Sequence, residues 1–107
     1  MRNNIGNFEL MILLALIRLN GNAYGVPISK EIEKRSGREV SVASVYATLE
    51  RLEAKGFVSS EIGEPTAERG GRAKKHYRVK GSAQVLLREV QAARHRLMSP
   101  EAIGGLT

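Results

Sequence analysis

The chain has 107 residues, 42% of them apolar, which suits one domain with a thin core and leaves no room for a second. It has no Cys and no Trp, and all eleven acidic residues are Glu, so disulfides, thiolate metal sites, a Cys nucleophile, a Ser-His-Asp triad and an Asp-rich calcium loop are excluded. The formal charge of +6 favours a polyanionic partner.

That charge is unevenly spread. Residues 1–63 carry eight basic and seven acidic side chains. Residues 64–80 carry Arg69, Arg72, Lys74, Lys75, Arg78 and Lys80 against Glu64 and Glu68. Such a run is often just a solvated loop, so its context decides what it does.

Residues 7–19 are predicted to form the first helix, with Asn7 as N-cap and Asn20-Gly21 as the stop. Phe8, Ile12, Ala15 and Leu19 line one face, and Leu10, Leu13, Leu14 and Ile17 line much of the rest. A helix apolar nearly all round must be covered on more than one side. A chain this short has little material for that, and a second copy of itself is the simple cover. The apolar run at residues 10–17 is far too short to span a bilayer, which takes about 20 residues. Glu9 precedes it, Arg18 follows it, and no Ala-x-Ala cleavage site comes next, so it is read as a buried helix of a cytoplasmic protein.

A second, amphipathic helix is predicted over 24–36, with Tyr24, Ile28 and Ile32 at a spacing of four, Pro27 in its first turn and Gly37 at its end. A third is predicted over 41–55, capped by Ser41 and closed by Gly56. Only Gly37-Arg38-Glu39-Val40 lie between them, which suggests a helix-turn-helix. On the third helix Val42, Val45, Leu49 and Leu52 fall on one side. Ala43, Ser44, Ala47 and Arg51 fall roughly opposite. Small residues at the N-terminal end let a helix approach a groove floor closely, as recognition helices do in the major groove. Ser44 and Thr48 are expected nearer the groove, able to bond with either base edges or the DNA backbone. Tyr46, at the edge of the buried stripe, is expected to reach a phosphate with its hydroxyl, and Arg51 to reach phosphate only.

After Gly56 the period changes to two. Residues 57–62 read as one strand and 75–79 as its partner, with Tyr77 and Val79 inward. The link from Gly63 to Lys74 holds Pro65, Gly70 and Gly71 among its basic residues. A hairpin placed directly after a helix-turn-helix is a wing, and in that context the basic run becomes a phosphate-contacting element. The last helix is predicted over 82–98, where Leu86, Val90, Ala93 and Leu97 repeat at the spacing of a helix–helix seam. Residues 99–107 are expected to be a disordered tail.

The fold class is therefore mainly α with a small β-hairpin, in the order α-α-α-β-β-α. Residues 1–80 form a winged helix-turn-helix and 81–98 a dimerisation helix. Expected DNA contacts are Ser41, Ser44, Tyr46, Ala47, Thr48 and Arg51 on the third helix, with Arg69, Gly71, Arg72, Lys74 and Lys75 on the wing. The expected dimer seam is Leu10, Leu13, Leu14 and Ile17 with Leu86, Val90, Ala93 and Leu97.

Several of these segments resemble one family. Tyr24-Gly25, the run Lys30-Glu31-Ile32-Glu33, the segment from Val45 to Gly56 and the wing segment from Gly70 to Val79 are similar to the PadR-like transcriptional regulators. The resemblance covers about residues 7–98. It implies a homodimeric repressor of a palindromic operator, with the dimer made by the C-terminal helix and helped by the N-terminal one. One helix after the wing places the chain with the short-tailed members. Lys80 and Ala83 stand where the family often has Thr and Gly, and Pro27 replaces a more usual acidic or polar residue. Some relatives bind aromatic drugs between Trp side chains, a mode that does not carry over to a chain without Trp.

An enzyme is not expected. His76 and His95 lie far apart in the sequence, and there is no phosphate-binding Gly motif at a strand-to-helix turn. No cofactor, metal or membrane partner is expected; duplex DNA and a second copy of the chain are. The sequence names no effector. Two other readings stay open at this stage. One is a winged-helix protein–protein module gripping an acidic partner. The other is RNA binding, disfavoured by the few aromatic residues, most of them inward. Salt-dependent, sequence-selective binding to duplex DNA separates the first reading from both.

Overall fold

Twelve consecutive helical residues open the chain, because the apolar run has nowhere to end until Asn20 and Gly21. The computed structural model describes residues 5–63, 74–98, 100 and 104. Helix α1 spans Asn7–Arg18. Its N-cap is Gly6, not Asn7: the Gly6 N–H donates to Glu9 Oε1 at 2.8 Å, so an acid in the first turn serves the free end of the helix. At the other end the Gly21 N–H bonds to the Leu16 carbonyl at 2.7 Å and the Asn20 N–H to that of Ile17 at 3.1 Å. Asn20 has φ 67° and Gly21 φ 76°, the left-handed backbone that this pattern of helix end requires.

A two-residue strand follows, β1 at Asn22–Ala23. Helix α2 spans Gly25–Ser36 and ends at Gly37, whose φ of 75° suits glycine and whose N–H bonds to the Glu33 carbonyl. Helix α3 spans Val42–Ala54, with Ser41 as the N-cap the sequence suggested. Strands β2 at Val58–Ile62 and β3 at Lys75–Val79 make the wing. Helix α4 spans Gly81–Leu97. The architecture is the expected winged helix-turn-helix with one addition. The sheet has three strands, not two, in the order β1-β3-β2, all antiparallel. Two residues are too few to show a period, so β1 leaves no pattern in the sequence.

The core is shared by all three packed helices and the sheet. Ile12, Leu13 and Leu16 of α1 meet Ile28 and Ile32 of α2, and Val45, Leu49 and Leu52 of α3. Val58, Tyr77, Ala83 and Leu86 close it from the sheet and the start of α4. Two seam residues are thereby corrected. Leu13 and Leu86 are 0% and 2% exposed within the single chain, so they are core, and Leu10 at 5% nearly so. A thin core draws in more of the two helices than their periodicity alone indicates. Leu14, Ile17 and Leu97 remain on the surface, Leu97 at 76%. Of the tail expected to be disordered, Pro100 and Gly104 are helical and the other residues lie outside those described.

Two ionic ties flank the core. Glu31 on α2 accepts from Arg18 at 2.9 Å and from Arg35 at 3.0 Å, joining α2 to the end of α1. Glu9 is a buried carboxylate at the start of α1. Lys55 Nζ lies 2.8 Å and 3.0 Å from its two oxygens, and Arg51 Nε is 3.6 Å away. Burial alone would raise the Glu9 carboxyl, but the Lys55 and Gly6 hydrogen bonds and the charges of Lys55 and Arg51 outweigh it and hold the group below the usual carboxylate range.

A carboxyl lowered by folding stabilises the native state above its unfolded value, about 4.3 for Glu, and that contribution is lost as pH falls through the folded value. Glu31 is lowered too, by the Arg35 and Arg18 hydrogen bonds. Thermal melts from about pH 7 to about pH 3 should therefore show stability falling below about pH 4.3. Glu9→Gln should flatten part of that fall and leave the part carried by Glu31. A variant with the wild-type acid limb would remove Glu9 from the account.

Candidate nucleic-acid interface

Helix α3 is held by one side and open on the other. Tyr46 and Glu53 point to the sheet: the Tyr46 ring lies 6.1 Å from that of Tyr77, and Glu53 accepts from Ser60 at 2.7 Å. Arg51 and Lys55 point the other way, to the first turn of α1. Between these flanks the outward strip is Ala43, Ser44, Ala47, Glu50 and Ala54, all exposed. Three alanines and a serine make a low surface that a groove floor can approach.

At its N-terminal end the two serines bond to each other. Ser41 Oγ accepts from the Ser44 N–H at 3.1 Å and donates to Ser44 Oγ at 3.0 Å. Ser44 Oγ in turn donates to the Ser41 carbonyl at 2.9 Å. A base edge that drew on Ser44 would have to replace that bond. Thr48 is corrected outright as a base-reading residue: it is 1% exposed, and its Oγ1 accepts from Arg51 Nη2 at 3.0 Å. Burial in the packed fold leaves it no surface to offer a base.

Tyr46 holds the motif together. Its hydroxyl accepts from the Gly25 N–H at 2.9 Å, the first free donor of α2. The ring lies so near Gly25 that a Cβ there would sit 2.4 Å from Cε2 and 2.6 Å from Cζ. A hydroxyl that accepts still carries a proton to donate, so the expected phosphate contact keeps its donor.

At the root of the wing the two lysines meet aromatic rings in contacts that the sequence pattern does not show. Tyr24 stacks edge-on against His76 at 5.4 Å, and Lys74 Nζ lies 5.0 Å over the Tyr24 ring. Lys75 Nζ lies 5.6 Å over Tyr77, whose phenol is raised above its ordinary value by burial. Lys74 is thus brought beside the start of α2, and Lys75 lies along its own strand. Arg69, Gly71 and Arg72, the other wing contacts expected, lie outside the described residues. The described residues contain no group of acids and histidines that could hold a metal, and no helix long and apolar enough to cross a membrane.

The model of the transcriptional regulator PadR-like family matches residues 13–89. The chain belongs to the PadR-like family of transcriptional regulators. A solved PadR-family transcriptional regulator from Eggerthella lenta is 29% identical, with a TM-score of 0.68 over 92% of this chain and 86% of that one. A PadR-family regulator from Clostridium difficile is 22% identical, with a TM-score of 0.67 over 92% and 98%. Bacillus subtilis PadR, solved in complex with operator DNA, is 19% identical, with a TM-score of 0.60 over 77% of this chain and 46% of that one. No curated protein sequence matches. The PadR-like match begins inside α1 and stops inside α4, so it spans the helix-turn-helix and the wing.

In this PadR-like chain Tyr46 and Gly25 should behave as a pair. Gly25→Ala forces the ring or the α2 backbone aside and should lower unfolding stability by about 1–3 kcal/mol. Tyr46→Phe leaves the Gly25 N–H without its acceptor and should cost about 0.5–1.5 kcal/mol before any DNA is added. Urea denaturation of both variants checks this. Wild-type stability for Gly25→Ala would mean the contact relaxes freely.

Proposed function

We propose that this protein is a repressor that binds duplex DNA as a homodimer on a palindromic operator. The observation that carries the reading is the surface of α3, a low strip of Ala43, Ser44 and Ala47 with basic residues on both of its flanks. Lys74 and Lys75 stand on the sheet side and Arg51 on the other. The α3 strip enters the major groove, Ser44 and Ala47 face base edges, and the wing residues Arg69, Gly71, Arg72, Lys74 and Lys75 follow a phosphate strand. Tyr46 donates to a phosphate while it holds α2. The solved Bacillus subtilis relative in complex with operator DNA supports the same mode of use.

The dimer is proposed to form on α1 and α4. Leu14 and Ile17 are 46% and 41% exposed, and Leu97 76%. Leu10, Leu14, Leu87 and Val90 line a groove of about 210 Å³ between these two helices. Val90, Ala93 and Leu97 of the partner chain are the side chains that fill it. Two copies related by a two-fold axis present two α3 helices to two half-sites, which is why the operator is palindromic. Occupying a promoter in this way blocks transcription, and the cytoplasm, where that DNA lies, is the place of action.

Three measurements test this. Sedimentation at micromolar concentration should give a dimer, and Leu97→Glu should release monomer. A dimer that survives Leu97→Glu moves the interface elsewhere. Titration of a fragment carrying the gene's own promoter against an equal-length coding fragment, at one fixed salt concentration, should favour the promoter. Arg72→Ala with Lys74→Ala in both subunits should lower the slope of log K against log salt by roughly 3–4. Equal, salt-independent binding to both fragments would instead favour a protein–protein module.

A further inference from the structure

The wing is the expected phosphate contact of this fold, and it serves only one flank of α3. The other flank carries a second basic cluster around the first turn of α1. Counting at about 100° per residue, Arg51 and Lys55 lie about 140–180° from Tyr46, which faces the sheet. Arg51 is 57% exposed in its side chain and Lys55 36%. Arg38, in the link between α2 and α3, also reaches the N-terminal part of α1. Its guanidinium lies 5.1 Å over the Phe8 ring, and its Nη1 is 3.9 Å from the Met11 sulfur. Neither partner is an anion, and Arg38 is exposed.

The one acid in contact with this cluster among the described residues is Glu9, and it is engaged first by Lys55. Lys55 holds both carboxylate oxygens within 3.0 Å, whereas Arg51 Nε stands off at 3.6 Å. Arg51 is instead fixed by its bond to Thr48. Neither arginine is therefore held tightly by a carboxylate among the described residues, and both are oriented by neighbours rather than left to swing.

A helix with its side chains is about 10–12 Å across, and the major groove is about 12 Å wide. A helix seated in that groove brings both flanks up to phosphate strands, not one. We infer that Arg38 and Arg51, both held against the N-terminal part of α1, form a second phosphate-binding flank of α3 opposite the wing, with Thr48 as the positioning residue behind Arg51. The inference rests on the DNA-binding reading above: it adds Arg38 to Arg51 as a second contact on that flank and names the residue that holds Arg51 in place. Planar guanidiniums suit phosphate oxygens, which accept paired N–H donors.

The test uses the full chain and a mixed-sequence duplex of about 30 base pairs, titrated over a range of salt. Removing one phosphate ion pair should lower the slope of log K against log salt by about 0.9, so Arg38→Gln with Arg51→Gln should lower it by about 1.8 per chain. Gln keeps the aliphatic stem of each side chain, and the two single variants, about 0.9 each, serve if the pair perturbs folding. Arg38→Lys with Arg51→Lys should restore most of the slope. Lys30→Ala with Lys34→Ala removes the same charge from the outer face of α2 and should leave the slope nearly unchanged. An unchanged slope for the Gln pair overturns the inference while wild-type binding keeps the DNA reading. An equal drop for the Lys30/Lys34 pair also overturns it, because net charge alone would then set the slope. Wild-type protein with no salt-dependent binding would sink the DNA reading itself.

Discussion

Between the Tyr46 ring and Gly25 there is no space for a methyl group, and three elements meet at that point. The phenol rises from α3, its hydroxyl ends on the first N–H of α2, and its ring lies against Tyr77 of the central strand. The angle between the two helices of the motif and their distance from the sheet are thereby set together. Apolar packing alone allows helices to slide by a fraction of a turn, since one aliphatic contact replaces another at similar energy. A hydrogen bond to one particular backbone N–H does not allow that. It forms at one register and at no other.

The same division recurs at both ends of α1. Its buried face supplies Ile12, Leu13 and Leu16 to the core. Glu9 near one end reaches Lys55 of α3, and Arg18 at the other reaches Glu31 of α2. The helix is pinned at its two ends by directional contacts and held along its length by non-directional ones. Exposed ion pairs add little stability individually, but the Glu9 carboxylate is buried and hydrogen-bonded, and such groups are costly to leave unpaired. The end of α1 is in this way tied to the helix that carries the low outward strip.

Most helices were legible because their signals are local. Ser41 before an apolar period, Gly37 and Gly56 after one, and the Asn20-Gly21 pair each act within a few residues. The misreadings came where a distant segment decides. Thr48 is polar and belongs to no apolar repeat, and only the assembled fold makes it interior. Leu13 and Leu86 repeat like seam residues, yet a core this small needs them. Of the interface, the helix strip and the lysines at the wing root were readable from composition and position. The Tyr24–His76–Lys74 stack was not, because it joins residues about fifty positions apart that show no shared pattern. Tyr24-Gly25 did carry a usable hint, since a glycine at the start of a helix often marks a close neighbour.

The short strand β1 has a consequence for how this protein can change over time. Asn22 and Ala23 pair with Arg78 and Tyr77, so β3 is the middle strand and takes its alignment from the segment joining α1 to α2. The Gly63 N–H bonds to the Lys74 carbonyl at 2.9 Å and closes the ladder at the outer end of the hairpin. Everything on the helix side of that bond is fixed by neighbours in three elements. A substitution that shifted Asn22 or Ala23 would therefore move β3 and, through its ladder, β2 as well, so the joint between α1 and α2 can vary less than its two residues suggest.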